Sequence, residues 1–239
     1  MQKIDLFDNK FDIGYAQNIF EVSRRFPEKT VDIFDSISKN QFISKKELLT
    51  SVLISGIIHK EMKVIVIGSW YGSILVPVLA PLVKEMFCFD IDKEANHIAS
   101  LINEYDNVQF RSADLTKEKH PVFGEEVDLL IINTSSEHIE MKMHELINFQ
   151  SHWTKKPRDI YFAVQSNNMT DIEGHINCVH SLEEFKSHLP ARNQIIIEKE
   201  IPEERGVRYF LFGQIPLQTW KRKDGTTRYT FGKDSKWVI

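Results

Sequence analysis

The sequence predicts an α/β protein with a mostly parallel β-sheet and helices on both faces. Three observations support this fold class. Short runs of β-branched and aromatic residues alternate with segments of helical periodicity from residue 61 onward. Such alternation requires crossover connections, which join parallel strands. The last two runs are separated only by residues 201–207, which is too short for a crossover, so the sheet should end in an antiparallel hairpin.

The first 60 residues predict an N-terminal helical cap. Apolar residues recur at three- and four-residue steps over Ala16–Arg25 and over Val31–Ile37, as in amphipathic helices. Ser44 and Glu47 have the spacing of a capping box. This motif predicts that a helix begins there and continues over Leu48–His59.

Seven runs of strand-forming residues follow the helical cap. Helical segments separate the first six runs, and one of them begins at a second capping box, Ser181–Glu184. Pro77 and Pro81 fall in the helix after the first run, which they should shorten or kink. The predicted strands are Val64–Ile67, Met86–Ile91, Val108–Phe110, Val127–Ile132, Ile160–Gln165, Gln194–Glu200 and Arg208–Gly213.

The last residues differ in character from the α/β region. Residues 216–239 contain six basic and two acidic side chains, and Asp224-Gly225 is a hairpin-turn signal. This basic tail is either a solvated terminal hairpin or a basic lip over an anionic substrate. The sequence therefore predicts three regions, namely a helical cap over 1–60, an α/β domain over 61–215 and the tail.

The overall composition is that of an ordinary folded protein. Of the 239 residues, 42% are hydrophobic and 27% charged, and the net charge of −4 gives no electrostatic reason to expect nucleic acid or an anionic membrane as a partner. Two cysteines are too few for a disulfide framework. The sequence has neither an apolar run of the about 20 residues that span a bilayer nor the apolar core of a signal peptide. We therefore expect a cytoplasmic protein.

A glycine turn follows the first predicted strand. Gly68 and Gly72 bound this turn, and the next strand ends on Asp90, eighteen residues after Gly72. A strand, a glycine turn, a helix and a second strand ending in a carboxylate bind the ribose of a cofactor in open α/β sheets. Trp70 and Tyr71 lie where a dinucleotide's pyrophosphate would need a close backbone approach. The loop therefore favours a cofactor without phosphate, and its aromatic rings suit a cationic one.

This combination of strands, glycine turn, acid and terminal hairpin resembles the class I S-adenosylmethionine (SAM) dependent methyltransferases. The resemblance implies a Rossmann-like sheet of seven strands, SAM as the cofactor of the α/β domain, and methyl transfer as the activity. It implies that Asp90 accepts hydrogen bonds from the ribose hydroxyls, with Asp92 as the alternative, and that Asp114 faces the adenine. The loop departs from the family pattern because it lacks the usual middle glycine. The cofactor-binding residues implied are Gly68, Trp70, Tyr71, Gly72, Asp90, Asp114 and Asn133.

A second, narrower resemblance covers most of the chain. The segments Asn133–His138, Gln165–Asn168, His175–Asn177 and Tyr209–Gly213 are similar to a set of uncharacterised methyltransferase-like proteins, many of them from bacteriophages. This resemblance supports the fold and the location of the site. It supplies no substrate.

The loops after the fourth and fifth strands should bring polar side chains to the sheet edge where ligands bind. His138 is the expected general base, with Glu137 next, because either can take a proton from the acceptor as the methyl arrives. The alternative is that Glu137 and the serines before it cap the following helix. Amides that recognise a planar acceptor complete the expected catalytic set, which is His138, Glu137, Asn133, Gln165 and Asn167.

A metal site is not expected, because Glu173, His175, Cys178 and His180 match no established zinc spacing. His175 is expected instead in a loop that lines the substrate pocket. The acidic net charge favours a small-molecule acceptor over nucleic acid. Two alternatives stay open, namely another use of SAM, such as aminocarboxypropyl transfer or sulfonium cleavage, and a SAM-binding module without catalysis. Neither the acceptor nor the oligomeric state follows from the sequence.

Overall fold

In a computed structural model, the chain divides into two compact units, residues 1–112 and 113–239. No helix within the described residues is both long enough and apolar enough to cross a membrane. The structure describes residues 13–124, 127–133, 135–150, 159–216, 218–221 and 227–230.

The first unit combines helices with three parallel strands. The strand order is β3-β2-β1, and the register places Ile67 beside Phe89 and Asp90 beside Ser112. The loop after β1 therefore starts beside the end of β2. The elements are α1 (Ile13–Arg25), α2 (Thr30–Asp35), α3 (Lys39–Ile54), β1 (Lys63–Ile67), α4 (Leu75–Leu79), β2 (Glu85–Asp90), α5 (Lys93–Ile102) and β3 (Val108–Ser112).

The capping box predicted at Ser44 is wrong. Ser44 lies buried inside α3, which begins at Lys39. Its hydroxyl donates to the carbonyl oxygen of Gln41 at 3.4 Å, a bond that serine also makes within helices. The helix ends at Ile54, before His59, because Gly56 takes the left-handed φ of +74° that commonly terminates helices.

The prolines after β1 shorten the following helix, as predicted. Pro77 lies in the first turn of α4, which has only five residues. Pro81 is the second residue of a short 3-10 helix, Ala80–Leu82. The chain then enters β2 directly.

A hydrophobic cluster joins α1 to α5 in the first unit. Tyr15 and Ile19 of α1 pack with Ile98 and Ile102 of α5, and Tyr71 of the glycine loop belongs to the same cluster. The N-terminal helices predicted from periodicity therefore pack against the α/β elements of this unit.

The second unit contains four strands of a mixed sheet and a terminal strand pair. β4 and β5 are parallel, whereas β7 runs antiparallel to both β5 and β6, in the order β4-β5-β7-β6. The turn predicted at Asp224-Gly225 lies outside the described residues. The elements are β4 (Leu129–Ile132), α6 (Met143–Gln150), β5 (Ile160–Asn167), α7 (Leu182–Ser187), β6 (Gln194–Glu203), β7 (Gly206–Ile215), β8 (Gln218–Lys221) and β9 (Thr227–Thr230).

The second capping box is confirmed. The hydroxyl of Ser181 accepts a hydrogen bond from the backbone N–H of Glu184 at 3.1 Å. The Glu184 carboxylate reaches back to the N–H of His180 at 2.7 Å, so α7 begins where the sequence predicted.

The predicted fold class is confirmed. All seven expected strands are present as β1–β7, all but β7 run in one direction within their unit, and β6 and β7 form the expected antiparallel hairpin. The division into cap, α/β domain and tail stays a prediction.

Candidate functional site

The glycine loop of the first unit is tied to the end of β2. The backbone N–H groups of Gly68 and Ser69 donate to the carbonyl oxygen of Phe89 at 2.8 and 3.0 Å. The N–H of Trp70 donates to Oδ2 of Asp90 at 2.8 Å. A carboxylate oxygen can accept two hydrogen bonds. Asp90 can therefore hold the loop and still accept hydrogen bonds from the hydroxyls of a ligand.

Three residues of this loop have left-handed backbone conformations. Their φ angles are +67° for Gly68, +47° for Trp70 and +63° for Gly72. Glycine adopts this conformation freely, whereas it costs a tryptophan about 1–2 kcal/mol. Trp70 thus occupies the middle of the loop in a glycine-like conformation, and its N–H is held by Asp90. Strained residues of this kind concentrate at ligand sites.

The two aromatic residues of the loop differ in burial. Tyr71 is 1% exposed and belongs to the cluster between α1 and α5, so its ring is part of the hydrophobic core, and its expected role in cofactor binding stays a prediction. Burial raises the pKa of its phenol to about 12. Trp70 is only half-buried and stays a candidate contact. The buried hydroxyl of Ser69 has no hydrogen-bond partner among the described residues, as expected of a group that binds a ligand.

Asp92, the alternative ribose ligand, is the N-cap of α5. Its Oδ1 accepts hydrogen bonds from the N–H groups of Glu94 and Ala95 at 2.8 and 3.1 Å. Capping explains the presence of an acid at this position without a ligand. The structure therefore favours Asp90 for the ribose.

Asp114 follows β3 and is held by a local turn. Its Oδ2 forms an ion pair with Lys117 at 2.8 Å, and its Oδ1 accepts hydrogen bonds from the hydroxyl and N–H of Thr116 at 2.6 and 3.1 Å. The contact with Lys117, followed by the Thr116 hydroxyl, lowers the pKa of Asp114 to about 2. Its assignment to the adenine stays a prediction.

A buried ionic network lies at the end of β5 and the start of β7 in the second unit. Glu137 is 1% exposed, and its Oε1 accepts from Nδ2 of Asn167 at 2.6 Å and from Nη1 of Arg208 at 3.4 Å. Arg208 also donates from Nε to Oε1 of Glu203 at 2.6 Å. Asn167 and Arg208 are paired in the register of β5 and β7. This burial favours a structural role for Glu137 over proton transfer to a bound acceptor.

The helix-capping alternative for Glu137 holds for position but not for side-chain bonding. Ser135 is at the N-cap of a short 3-10 helix, Ser136–His138, with Glu137 in its first turn, but the side chain of Ser135 makes no capping hydrogen bond there. The hydroxyl of Ser136 donates instead to the carbonyl oxygen of Gln165. The turn after β4 is thus fixed to β5.

His138 and His175 pack edge to face, with ring centroids 4.7 Å apart. Nδ1 of exposed His138 lies 2.9 Å from the carbonyl oxygen of Gly174, and Nδ1 of His175 lies 2.9 Å from that of Met169. A carbonyl only accepts, so Nδ1 carries a proton in both rings, and in the neutral form of each ring Nε2 is the nitrogen with the lone pair. Desolvation by burial lowers the pKa of His175. His138 therefore remains suited to act as a base through Nε2.

The three amides of the expected catalytic set are buried. Asn133 is 1% exposed, and Gln165 and Asn167 are 0% exposed. Asn167 uses both ends of its amide, because Nδ2 donates to Glu137 and Oδ1 accepts from the N–H of Met169 at 2.8 Å. Asn167 is therefore a positioning residue for Glu137, while Asn133 and Gln165 stay predictions.

Sequence reasoning missed Arg208 and Glu203, which complete the buried network. The signal was the arginine at the start of an otherwise apolar and aromatic strand segment, Arg208–Gly213. Charged side chains are seldom fully buried without a partner. Such an arginine predicts a buried carboxylate nearby.

Potential metal ligands in the second unit also differ from those considered in the sequence. One ring nitrogen each of His138 and His175 and one carboxylate oxygen of Glu137 lie within 4.8 Å of one another. His175 therefore belongs both to the residues considered from the sequence and to the cluster in the structure. Glu173 and His180 are exposed and lie outside this cluster.

No family model matches this sequence, and no curated protein is found to be similar to it. Solved structures do share its fold. A SAM-dependent methyltransferase from Aquifex aeolicus is 16% identical with a TM-score of 0.53, over 69% of this chain and 88% of that one. N-methyltransferase NodS from Bradyrhizobium japonicum WM9 is 16% identical with a TM-score of 0.57, over 74% and 98%. Magnesium protoporphyrin IX methyltransferase (ChlM) from Synechocystis PCC 6803, with bound SAH, is 13% identical with a TM-score of 0.54, over 73% and 83%.

These likenesses show that the chain has the Rossmann-like fold of SAM-dependent methyltransferases. This agrees with the fold that the glycine turn, the strand count and the terminal hairpin implied. The narrower resemblance to bacteriophage proteins stays a prediction.

Proposed function

We propose that the protein binds SAM in the first unit and transfers its methyl group to a small-molecule acceptor. One observation carries the proposal, namely that the carboxylate ending β2 and the glycine loop after β1 are joined by the hydrogen bond from Trp70 to Asp90. This is the pairing of acid and loop that a ribose-bearing cofactor needs in this fold. ChlM, which shares the fold, has been solved with bound SAH.

The residues of the loop fit such a ligand. Asp90 has acceptor capacity for two ribose hydroxyls, and the buried hydroxyl of Ser69 is available to a polar ligand group among the described residues. Gly68 and Gly72 let the backbone turn tightly, and Trp70 offers an aromatic face that attracts a cation. SAM, when bound, would supply a methyl group attached to a positively charged sulfur. The sulfur is a good leaving group because it becomes a neutral thioether when the methyl group is transferred.

His138 is the residue proposed to remove the acceptor's proton. Its ring is exposed, and because Nδ1 donates to Gly174, Nε2 is the nitrogen that would accept the proton. A positioned imidazole of this kind contributes typically 10²–10⁴-fold to proton transfer. The acceptor class rests on the net charge of −4, which disfavours nucleic acid.

A reaction of SAM other than methyl transfer is favoured by one observation, namely the left-handed backbone conformation of Trp70 in the loop. Trp70 replaces a glycine beside the expected position of the methionine arm, and altered seating of that arm would expose a different carbon to attack. Aminocarboxypropyl transfer or sulfonium cleavage then releases methylthioadenosine instead of S-adenosylhomocysteine.

Calorimetry followed by product analysis tests the proposal. Titration with SAM and with S-adenosylhomocysteine should show saturable binding of both. Mass spectrometry of SAM incubated with the protein and candidate acceptors should then detect S-adenosylhomocysteine. Methylthioadenosine as the product supports the second use of SAM. SAM binding without turnover, with an affinity that His138→Ala leaves unchanged, supports a non-catalytic module. Absence of SAM binding at millimolar concentration refutes all three.

A further inference from the structure

The second unit brings together a carboxylate and two imidazoles from separate loops. Glu137 and His138 come from the 3-10 helix after β4, and His175 comes from the loop after β5. One potential ligand atom from each lies within 4.8 Å of the others. We propose that these three residues bind a divalent transition-metal ion of the Zn²⁺ class.

The spacing is close to that of a bound site. Ligands about 2.1 Å from a tetrahedral zinc ion lie about 3.4 Å apart. The three atoms need to approach one another by little more than about 1 Å, which is within reach of side-chain rotation. The ring of His138 is exposed, whereas the side chain of Glu137 is buried, so His138 is the ligand expected to move.

The histidines are already oriented as metal ligands are. In both rings Nδ1 donates to a backbone carbonyl, Gly174 for His138 and Met169 for His175, at 2.9 Å each. A histidine that binds a metal through one ring nitrogen almost always donates from the other to such an acceptor. In the neutral form of each ring, this contact places the proton on Nδ1 and leaves the lone pair of Nε2 for an ion.

The buried charges of the cluster also favour a cation. The side chains of Glu137 and Glu203 are 1% and 6% exposed, and both contact the guanidinium of Arg208. Two carboxylates around one guanidinium leave one negative charge that is not balanced, and a buried charge of this kind needs a partner. Asn167 and Arg208 bind Oε1 of Glu137. Oε2 lies 3.3 Å from the hydroxyl of Ser136, which also donates to the carbonyl oxygen of Gln165, so Oε2 is the oxygen proposed to bind the ion.

The ligand set selects the class of ion. Two imidazole nitrogens and one carboxylate suit Zn²⁺ and its first-row neighbours, whereas Mg²⁺ and Ca²⁺ prefer oxygen ligands throughout. Three protein ligands leave the fourth tetrahedral position to water or to another small ligand. The proposal does not depend on SAM binding, since all its residues lie in the second unit.

Metal titration of the full chain tests the inference. After treatment with EDTA and gel filtration, the protein is titrated with ZnCl₂ by calorimetry, and bound zinc is measured by plasma mass spectrometry. We expect about one zinc per chain, and at least about tenfold weaker binding in His138→Ala and in His175→Ala. MgCl₂ should give no binding under the same conditions.

His180→Ala is the matched control. This exposed histidine lies in the same loop region, but its contacts with Glu184 and Tyr209 are made by backbone atoms. It should bind zinc as the unchanged protein does. Circular dichroism verifies folding, and because His138 is exposed, its variant remains informative even if His175→Ala fails to fold. Zinc binding that His138→Ala leaves unchanged, or that His180→Ala weakens equally, overturns the inference, as does a protein that binds no zinc.

Discussion

Replacing Asp90 with alanine tests the link between the glycine loop and β2. The substitution removes two hydrogen bonds accepted by the carboxylate, from the N–H of Trp70 at 2.8 Å and from that of Asp92 at 3.1 Å. Hydrogen bonds to a charged group contribute about 1.5–3 kcal/mol each, and the lower value applies because Asp90 is partly exposed. The free energy of unfolding should therefore fall by about 3 kcal/mol.

The same change should weaken SAM binding. Loss of the ribose contacts costs about 1–3 kcal/mol, which corresponds to roughly a 5- to 150-fold higher dissociation constant. Trp70 also loses the contact that stabilises its left-handed conformation, so the loop is less well ordered for a ligand. Urea unfolding measures the first effect, and calorimetry with S-adenosylhomocysteine measures the second.

Asp92→Ala is the control for this prediction. It removes the N-cap of α5 and should lower the free energy of unfolding by about 1 kcal/mol while leaving SAM affinity unchanged. If Asp92→Ala weakens SAM binding more than Asp90→Ala does, the assignment of the ribose carboxylate is refuted. If Asp90→Ala unfolds at the same urea concentration as the unchanged protein, the carboxylate does not hold the loop.

Two further substitutions test packing and buried charge. Gly72→Ala places a Cβ 2.8 Å from Cγ2 of Val76 and should destabilise the fold by about 2–3 kcal/mol. Gly56 also has a positive φ, but a Cβ added there meets no atom within 4 Å, so Gly56→Ala should cost only about 1 kcal/mol. Equal thermal unfolding of the two variants would contradict this. Arg208→Met leaves two buried carboxylates facing each other and should destabilise the protein by about 3–5 kcal/mol in urea unfolding. Arg205→Met, which breaks an exposed ion pair, should unfold almost as the unchanged protein does, and similar losses in both variants would argue against the buried network.

Much of the fold follows from the sequence because its signals are local. Each strand is a short run of β-forming residues, and the hairpin of β6 and β7 follows from a connection that is too short to cross the sheet. The capping box at Ser44 failed because Ser-x-x-Glu spacing also occurs inside helices, where the serine hydroxyl bonds to a preceding carbonyl. A local motif predicts structure only where the backbone conformation allows its contacts.

The candidate sites also differ in whether local sequence signals predict them. Asp90 and the glycine loop could be predicted because adjacent parallel strands place their ends side by side. The network around Glu137 could not, since its members lie far apart in sequence and meet only through the register of β5 and β7. Neither could the pairing of His138 with His175, because each histidine is positioned by the carbonyl of a different loop residue.

The chemistry open to Glu137 follows from which of its atoms are already engaged. Asn167 and Arg208 fix one oxygen in the protein interior, so this carboxylate cannot swing out to collect a proton from a solvent-exposed acceptor. A fixed carboxylate is poorly suited to acid–base exchange but well suited to hold a cation, because its orientation is set before the ion arrives. His138 is the opposite case, because its ring is exposed and Nδ1 contacts Gly174, so Nε2 is the nitrogen open to either an ion or a proton. The difference in burial between these two neighbouring residues thus assigns ion binding to the fixed carboxylate of Glu137 and proton exchange to the exposed imidazole of His138.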